Sequence, residues 1–164
     1  MAGTLALLLD PARISLDVQS TRGVAALYEI ARLLDGQPEV TNFQGFYAEL
    51  LARERLDTTC LGNEVAVPHA RTEHVAKLVM AVGRSDQGVF FEDSGQTARL
   101  LFVLGTPRSG FGDYLQVVGM LCRIIKDPSN CESLMKAPDA PAFVRTLLDM
   151  ERRVQAGRSR PSPA

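Results

Sequence analysis

The sequence predicts a three-layer α/β sandwich, a sheet with helices on both of its faces. Two stretches of helical periodicity precede, and three follow, a middle region of short apolar runs, "EVAV", "KLVMAV" and "ARLLFVL". Those runs lack strict alternation, which suits strands buried on both faces and therefore requires a helical layer on each side. A chain of 164 residues with 46% hydrophobic content fills one sizeable core, whereas two independent cores would each be cramped.

Taken in order, Val24, Leu27, Tyr28, Ala31 and Leu34 recur on one helix face, and Ser20 or Thr21 is expected to cap the first turn. "DGQPE" then breaks the chain. Phe43, Phe46, Tyr47, Leu50 and Leu51 mark a second helix ending near Arg55, with Thr41 and Gln44 at capping-box spacing. The three apolar runs come next, bounded by Pro68, Gly83 and Gly105. "DYLQVVGMLCRIIKD" returns to helical spacing through Leu115, Val118, Leu121, Cys122 and Ile125. Asp127 and Pro128 read as the cap and first residue of another helix, and Pro141 opens a last one through Val144, Leu147 and Leu148. The tail "GRSRPSPA" has the composition of a disordered end.

Charge narrows the function. With 18 basic and 19 acidic residues there is no broad field to attract nucleic acid or anionic lipid, so a partner must be recognised locally. No segment approaches the roughly 18 apolar residues that cross a bilayer, so no direct membrane insertion is expected. Cys60, Cys122 and Cys131 are odd in number and lack CxxC spacing, which fits a reducing, cytoplasmic setting.

Both histidines fall in "NEVAVPHARTEHV", His69 and His74. They are five apart, not the four that align two imidazoles after one helical turn, and no third ligand is near, so a metal site is not expected. A Ser-His-Asp hydrolase would need a GxSxG elbow that the chain lacks. "RSGFGD" lacks the GxxxxGK[ST] pattern of a phosphate-cradling loop and reads as a sheet-to-helix connection. His69 follows a buried strand and a proline, at the rim where α/β folds bind ligands, and a neutral imidazole there is a reversible nucleophile. Standing alone, it reads equally as an exposed turn residue.

Arg53 and Glu54 close a helix, Thr59 lies in the following loop, Gly62 precedes a strand, and "EVAVPH" ends in His69. The run that holds them, Leu50 to Val75, resembles the signature of enzyme IIA domains of the fructose/mannitol type in the bacterial sugar phosphotransferase system, a group that includes the nitrogen-regulatory IIA proteins. Similarity extends from about Ile14 to Asp149 and implies a mixed four- to five-stranded sheet between helices. It sets a IIA-like domain at residues 14–155, after an N-terminal segment 1–13 and before the tail 156–164. It also implies a phosphotransferase role in which His69 accepts a phosphoryl group and Arg53 neutralises its oxygens, as a guanidinium fork suits a charge-dispersed transition state. Thr59, Arg71 and Tyr114 are candidate phosphate-binding or supporting residues, although Thr59 and Arg71 each also read as an ordinary turn residue. The implied partners are an HPr-type phosphocarrier and a IIB domain or regulatory target. No cofactor is implied, and homo-oligomerisation is left open.

Two departures stand out. Where the family usually carries a second histidine near the phosphorylated one, this chain has Tyr114; His74 does not match that position and is expected to be an exposed bystander. Where the family most often has Gly, it has Glu64. A phenol offers a hydroxyl but stays neutral at pH 7. Two functions follow: a phosphoryl carrier, and a non-catalytic IIA-like regulatory binding protein whose phosphotransfer is impaired. Phe90, Phe91 and Phe111 are candidates for an apolar rim that docks the phosphocarrier.

Overall fold

The computed structural model describes residues 4–158. In chain order the elements are β1 (Ile14–Ser15), α1 (Gly23–Ala31), α2 (Phe43–Leu56), β2 (Cys60–Gly62), β3 (Val65–Ala66), β4 (His69–Arg71), β5 (Val79–Phe91), β6 (Gln96–Thr106), α3 (Phe111–Ile125), α4 (Pro128–Lys136) and α5 (Ala140–Arg158). The strands form one mixed sheet in the order β1-β5-β6-β3-β2, with β4 also pairing β6. It has six strands, not four or five. The apolar run around Pro68 makes two short strands parallel to β6, one on each side of a residue that has no N–H to give the ladder. A two-residue β1 also adds itself parallel to β5.

Alternation within the strands divides the core. Val65, Val67, Met80, Val82, Leu100, Phe102 and Leu104 pack against Val117, Leu121, Ile124, Leu134, Phe143 and Leu147 of α3, α4 and α5. Ala66, Ala70, Val79, Ala81, Leu101 and Val103 face Leu27 and Ile30 of α1 and Phe46 and Leu50 of α2. Both faces are covered, which is why the strands read as unbroken apolar runs. The second face carries smaller side chains, and α2 lies close on it: a Cβ on Gly105 would sit 2.9 Å from Cε2 of Phe46. Leu5 and Leu8, upstream of Ile14, lie in the first core, and the Leu5 amide donates to the buried carboxylate of Glu151.

Helix starts differ in detail from expectation. The N-cap of α1 is Arg22, without a side-chain bond, because the Ser20 hydroxyl donates instead to Glu29 at 2.8 Å. Asn42 caps α2 by accepting from the Gly45 amide, while the Thr41 hydroxyl donates to the carbonyl of His74. Asp127 caps α4 as expected, accepting from the Ser129 amide at 2.9 Å with Pro128 in the first turn. α5 continues to Arg158, so residues 156–158 of the expected tail are helical, and 159–164 lie outside the described residues. β5 does not stop near Gly83: it passes through a register shift between Arg84 and Val89 and pairs with β6 as far as Phe91.

Candidate functional site

Pro68 ends the β3 side of the split strand, and its carbonyl still accepts from the Leu104 amide, so His69 enters β4 opposite Leu104 near the carboxyl end of β6. The half-buried His69 ring has Nδ1 2.9 Å from the carbonyl oxygen of Val67. A carbonyl only accepts, so this contact assigns the proton to Nδ1 and leaves the lone pair on Nε2. Burial holds the imidazole below its usual pKa, the Val67 bond opposes this, and the Arg53 charge lowers it further. At neutral pH His69 is therefore an uncharged base with its acceptor nitrogen free.

Arg53 lies in the last turn of α2, where Nη1 donates to the carbonyl of Asp57, the residue that ends the helix, at 3.2 Å. Its charge acts on both His69 and Tyr114. Tyr114, in the first turn of α3, is buried with its ring centroid 4.9 Å from that of His69 and tilted by 40°. Burial pushes its phenol pKa up. Behind it Phe111 stacks at 5.2 Å, and the Arg71 guanidinium lies 4.8 Å over Phe111. The structure thus aligns His69, Tyr114, Phe111 and Arg71 in a row.

The remaining candidates are engaged with the frame of the site. Arg71 donates from Nε and Nη2 to the Arg108 carbonyl, at 3.0 and 2.5 Å, which ties β4 to the loop before α3. The buried Thr59 hydroxyl donates to Glu54 at 2.8 Å, and its carbonyl accepts from the Val67 amide. Burial raises the Glu54 pKa. Of the aromatic rim candidates, Phe111 is 38% exposed beside the site, Phe91 is a core residue at 5%, and Phe90 lies under Arg22.

His74 is half-buried, not exposed as expected. Its half-buried ring packs on α2, so close that a Cβ on Gly45 would fall 2.5 Å from Cδ2. Sequence reasoning also missed Asn63, whose amide donates to the Ile125 carbonyl at 2.6 Å and fastens the β2–β3 turn to the end of α3. The Asn63-Glu64 pair ahead of the strand was the available signal, since Asn is a residue that tolerates the left-handed region. Asn63 and Glu64 both have positive φ, 51° and 60°. That conformation costs a residue such as glutamate about 1 kcal/mol or more. Glu64→Gly is therefore expected to stabilise the protein by about 0.5–1 kcal/mol after glycine's greater chain entropy is counted. A urea midpoint that fails to rise would contradict this account of the turn.

Fold and site together define an open-sheet α/β domain that presents a neutral imidazole at the sheet rim, within the field of a helix-end arginine. The profile of the family described as "Phosphoenolpyruvate-dependent sugar phosphotransferase system, EIIA 2" matches residues 7–150, and the chain belongs to that family. It is 32% identical over 126 residues to a nitrogen regulatory protein of Bradyrhizobium diazoefficiens, covering 74% of this chain and 80% of that one. It is 27% identical over 138 residues to the fructose-specific EIIABC component of Bacillus subtilis, covering 84% of this chain but only 22% of that longer protein. Among solved structures, the nitrogen regulatory protein IIA-Ntr of Neisseria meningitidis superposes with a TM-score of 0.79 at 30% identity, over 88% of this chain and 98% of that one. The IIA mannitol domain of Escherichia coli has the same fold, with a TM-score of 0.72 at 24% identity over 85% of this chain and 98% of that one.

Proposed function

We propose that the chain is a phosphoryl carrier in which Nε2 of His69 accepts a phosphoryl group from an HPr-type phosphocarrier. The lone pair on Nε2 forms a bond to phosphorus as the phosphorus–nitrogen bond to the donor's imidazole breaks. The observation that carries this reading is the Nδ1 contact with the Val67 carbonyl, which keeps the proton on one nitrogen and the other free to attack. Arg53 supplies positive charge to the transferring oxygens, whose dispersed charge makes positioning and electrostatics most of the catalysis. Thr59 holds Glu54 at the end of α2 next to Arg53, and Arg71 holds the loop that leads into α3.

From His69 the group passes to a IIB domain or remains as a regulatory mark. Support comes from both sides: a IIA mannitol domain of Escherichia coli, 23% identical to this chain, is known in complex with phosphorylated IIB mannitol, whereas other relatives are nitrogen regulatory proteins. No helix among the described residues is long and apolar enough to cross a membrane, which fits work in the cytoplasm beside soluble carriers. Phe111, exposed at the edge of the site, belongs to the docking rim.

The test is incubation with phosphoenolpyruvate, enzyme I and HPr, followed by intact mass. One added phosphate is expected on the wild-type chain and none on His69→Ala. No phosphate on the wild-type chain would overturn the carrier reading and leave the non-catalytic regulatory one.

A further inference from the structure

Tyr114 is the site residue whose chemistry is least like that of a second imidazole, and its surroundings give it a defined task. Its ring is fixed from two sides, by His69 at 4.9 Å and by Phe111 at 5.2 Å. Phe111 is held in turn by the Arg71 guanidinium, which donates from Nε and Nη2 to the Arg108 carbonyl. Among the described residues the Tyr114 hydroxyl has no hydrogen-bond partner, and its oxygen is not sealed from solvent. A buried ring that packs on the nucleophile's own ring and on a second aromatic, and that carries an open, unpaired donor, is preorganised for a ligand at that nucleophile.

We infer that the Tyr114 hydroxyl donates a hydrogen bond to an oxygen of the phosphoryl group on His69, with Phe111 and Arg71 as the residues that position it. This rests on the carrier reading and deepens it. A protonated imidazole in this place would add a further positive charge, and only below about pH 6.5. The phenol donates without charge across the working range, because burial moves its ionisation further above neutrality. Charged and titratable groups around it are Arg53 from α2, His69 and Arg71 from β4, and Cys122 from α3. The phosphorylated site is then compensated by fixed arginine charge and by one neutral donor.

The experiment uses phosphoramidate, so that no protein donor is involved. Nε2 of His69 forms the new nitrogen–phosphorus bond as the donor's own phosphorus–nitrogen bond breaks, and ammonia leaves. Phosphohistidine formation is followed by phosphorus NMR from pH 5.5 to 8.5 in the full chain, with His69→Ala as the blank. Tyr114→Phe keeps the ring and both packing contacts and loses only the hydroxyl. It is expected to form phosphohistidine about tenfold more slowly at every pH, the size of one hydrogen bond to a charged oxygen. Tyr114→His restores a donor, and its rate relative to the wild-type chain is expected to rise as pH falls through about 6.5, where the new imidazole gains its proton. A purely structural tyrosine would leave the Tyr114→Phe rate at the wild-type level across the range. Overturning the proposal takes either a folded Tyr114→Phe chain within twofold of wild type across the range, or a flat ratio for Tyr114→His. A wild-type chain that takes no phosphate from phosphoramidate or from HPr would instead overturn the carrier reading beneath it.

Discussion

Arg53→Gln slows phosphorylation of His69 by phosphorylated HPr by about 10²–10³, the effect of removing one preorganised donor from an oxyanion-type site. The fold should survive, because Arg53 is only half-buried and its one hydrogen bond among the described residues is to the Asp57 carbonyl. Arg53→Lys should fall between the two, keeping the charge while losing the planar fork that meets two oxygens at once. The same substitution has an equilibrium signature that does not depend on the donor. A neighbouring cation disfavours a protonated imidazole, so loss of the Arg53 charge moves the His69 pKa upward. It stays below the ordinary imidazole value, because burial, the largest cause, remains. Rapid-quench transfer and NMR titration of His69 measure the two effects separately. A rate within threefold of wild type in Arg53→Gln would remove this residue from the chemistry.

Much of that site was legible in the sequence, down to the spacing of "RERLDTT" before "VPH". What was not legible depends on contacts that spacing does not encode. Which imidazole nitrogen is free follows from a carbonyl two residues upstream that turns back onto Nδ1, a consequence of the backbone path through Pro68. The Thr59 hydroxyl, a candidate phosphate contact by type, is donated to Glu54 because the chain leaving α2 folds back over the helix end. Arg71 and Phe111 are separated by forty positions in sequence, and only the pairing of β4 with β6 brings the strand beside the start of α3.

The layer arrangement was legible for a physical reason: Met80 and Val82 face one helical layer and Val79 and Ala81 the other, so a strand covered on both sides cannot alternate. The strand count was harder to read, because β1 and β3 are two residues each, too short for any periodicity. The far half of β5 was lost for a different reason. Arg84 and Asp86 in "GRSDQG" look like the polar end of a strand, whereas Arg84 is 9% exposed and the strand runs through it. Its burial has a purpose that only the tertiary structure reveals.

Arg84→Met is expected to destabilise the protein by about 2–4 kcal/mol. Nη1 of Arg84 donates to the carbonyls of Leu134 and Ala137, at 2.9 and 2.8 Å, where α4 ends. A helix C-terminus carries unpaired carbonyls and partial negative charge, so a guanidinium there serves as both cap and counter-charge. Hydrogen bonds to charged groups contribute about 1.5–3 kcal/mol each, and removing the donor leaves two interior carbonyls to find other partners. Against this stands the cost of the buried cation itself, including an Nε with no partner, which methionine relieves while preserving most of the side-chain volume. The loss of two bonds outweighs the relief of one orphaned donor, which sets the sign. Urea unfolding should show a lower midpoint with an unchanged slope, and hydrogen exchange should locate the first loosening in α4 and not in β5. An unchanged midpoint would mean that the bond between the Ala137 amide and the Leu134 carbonyl, at 3.4 Å, suffices to close the helix without the arginine.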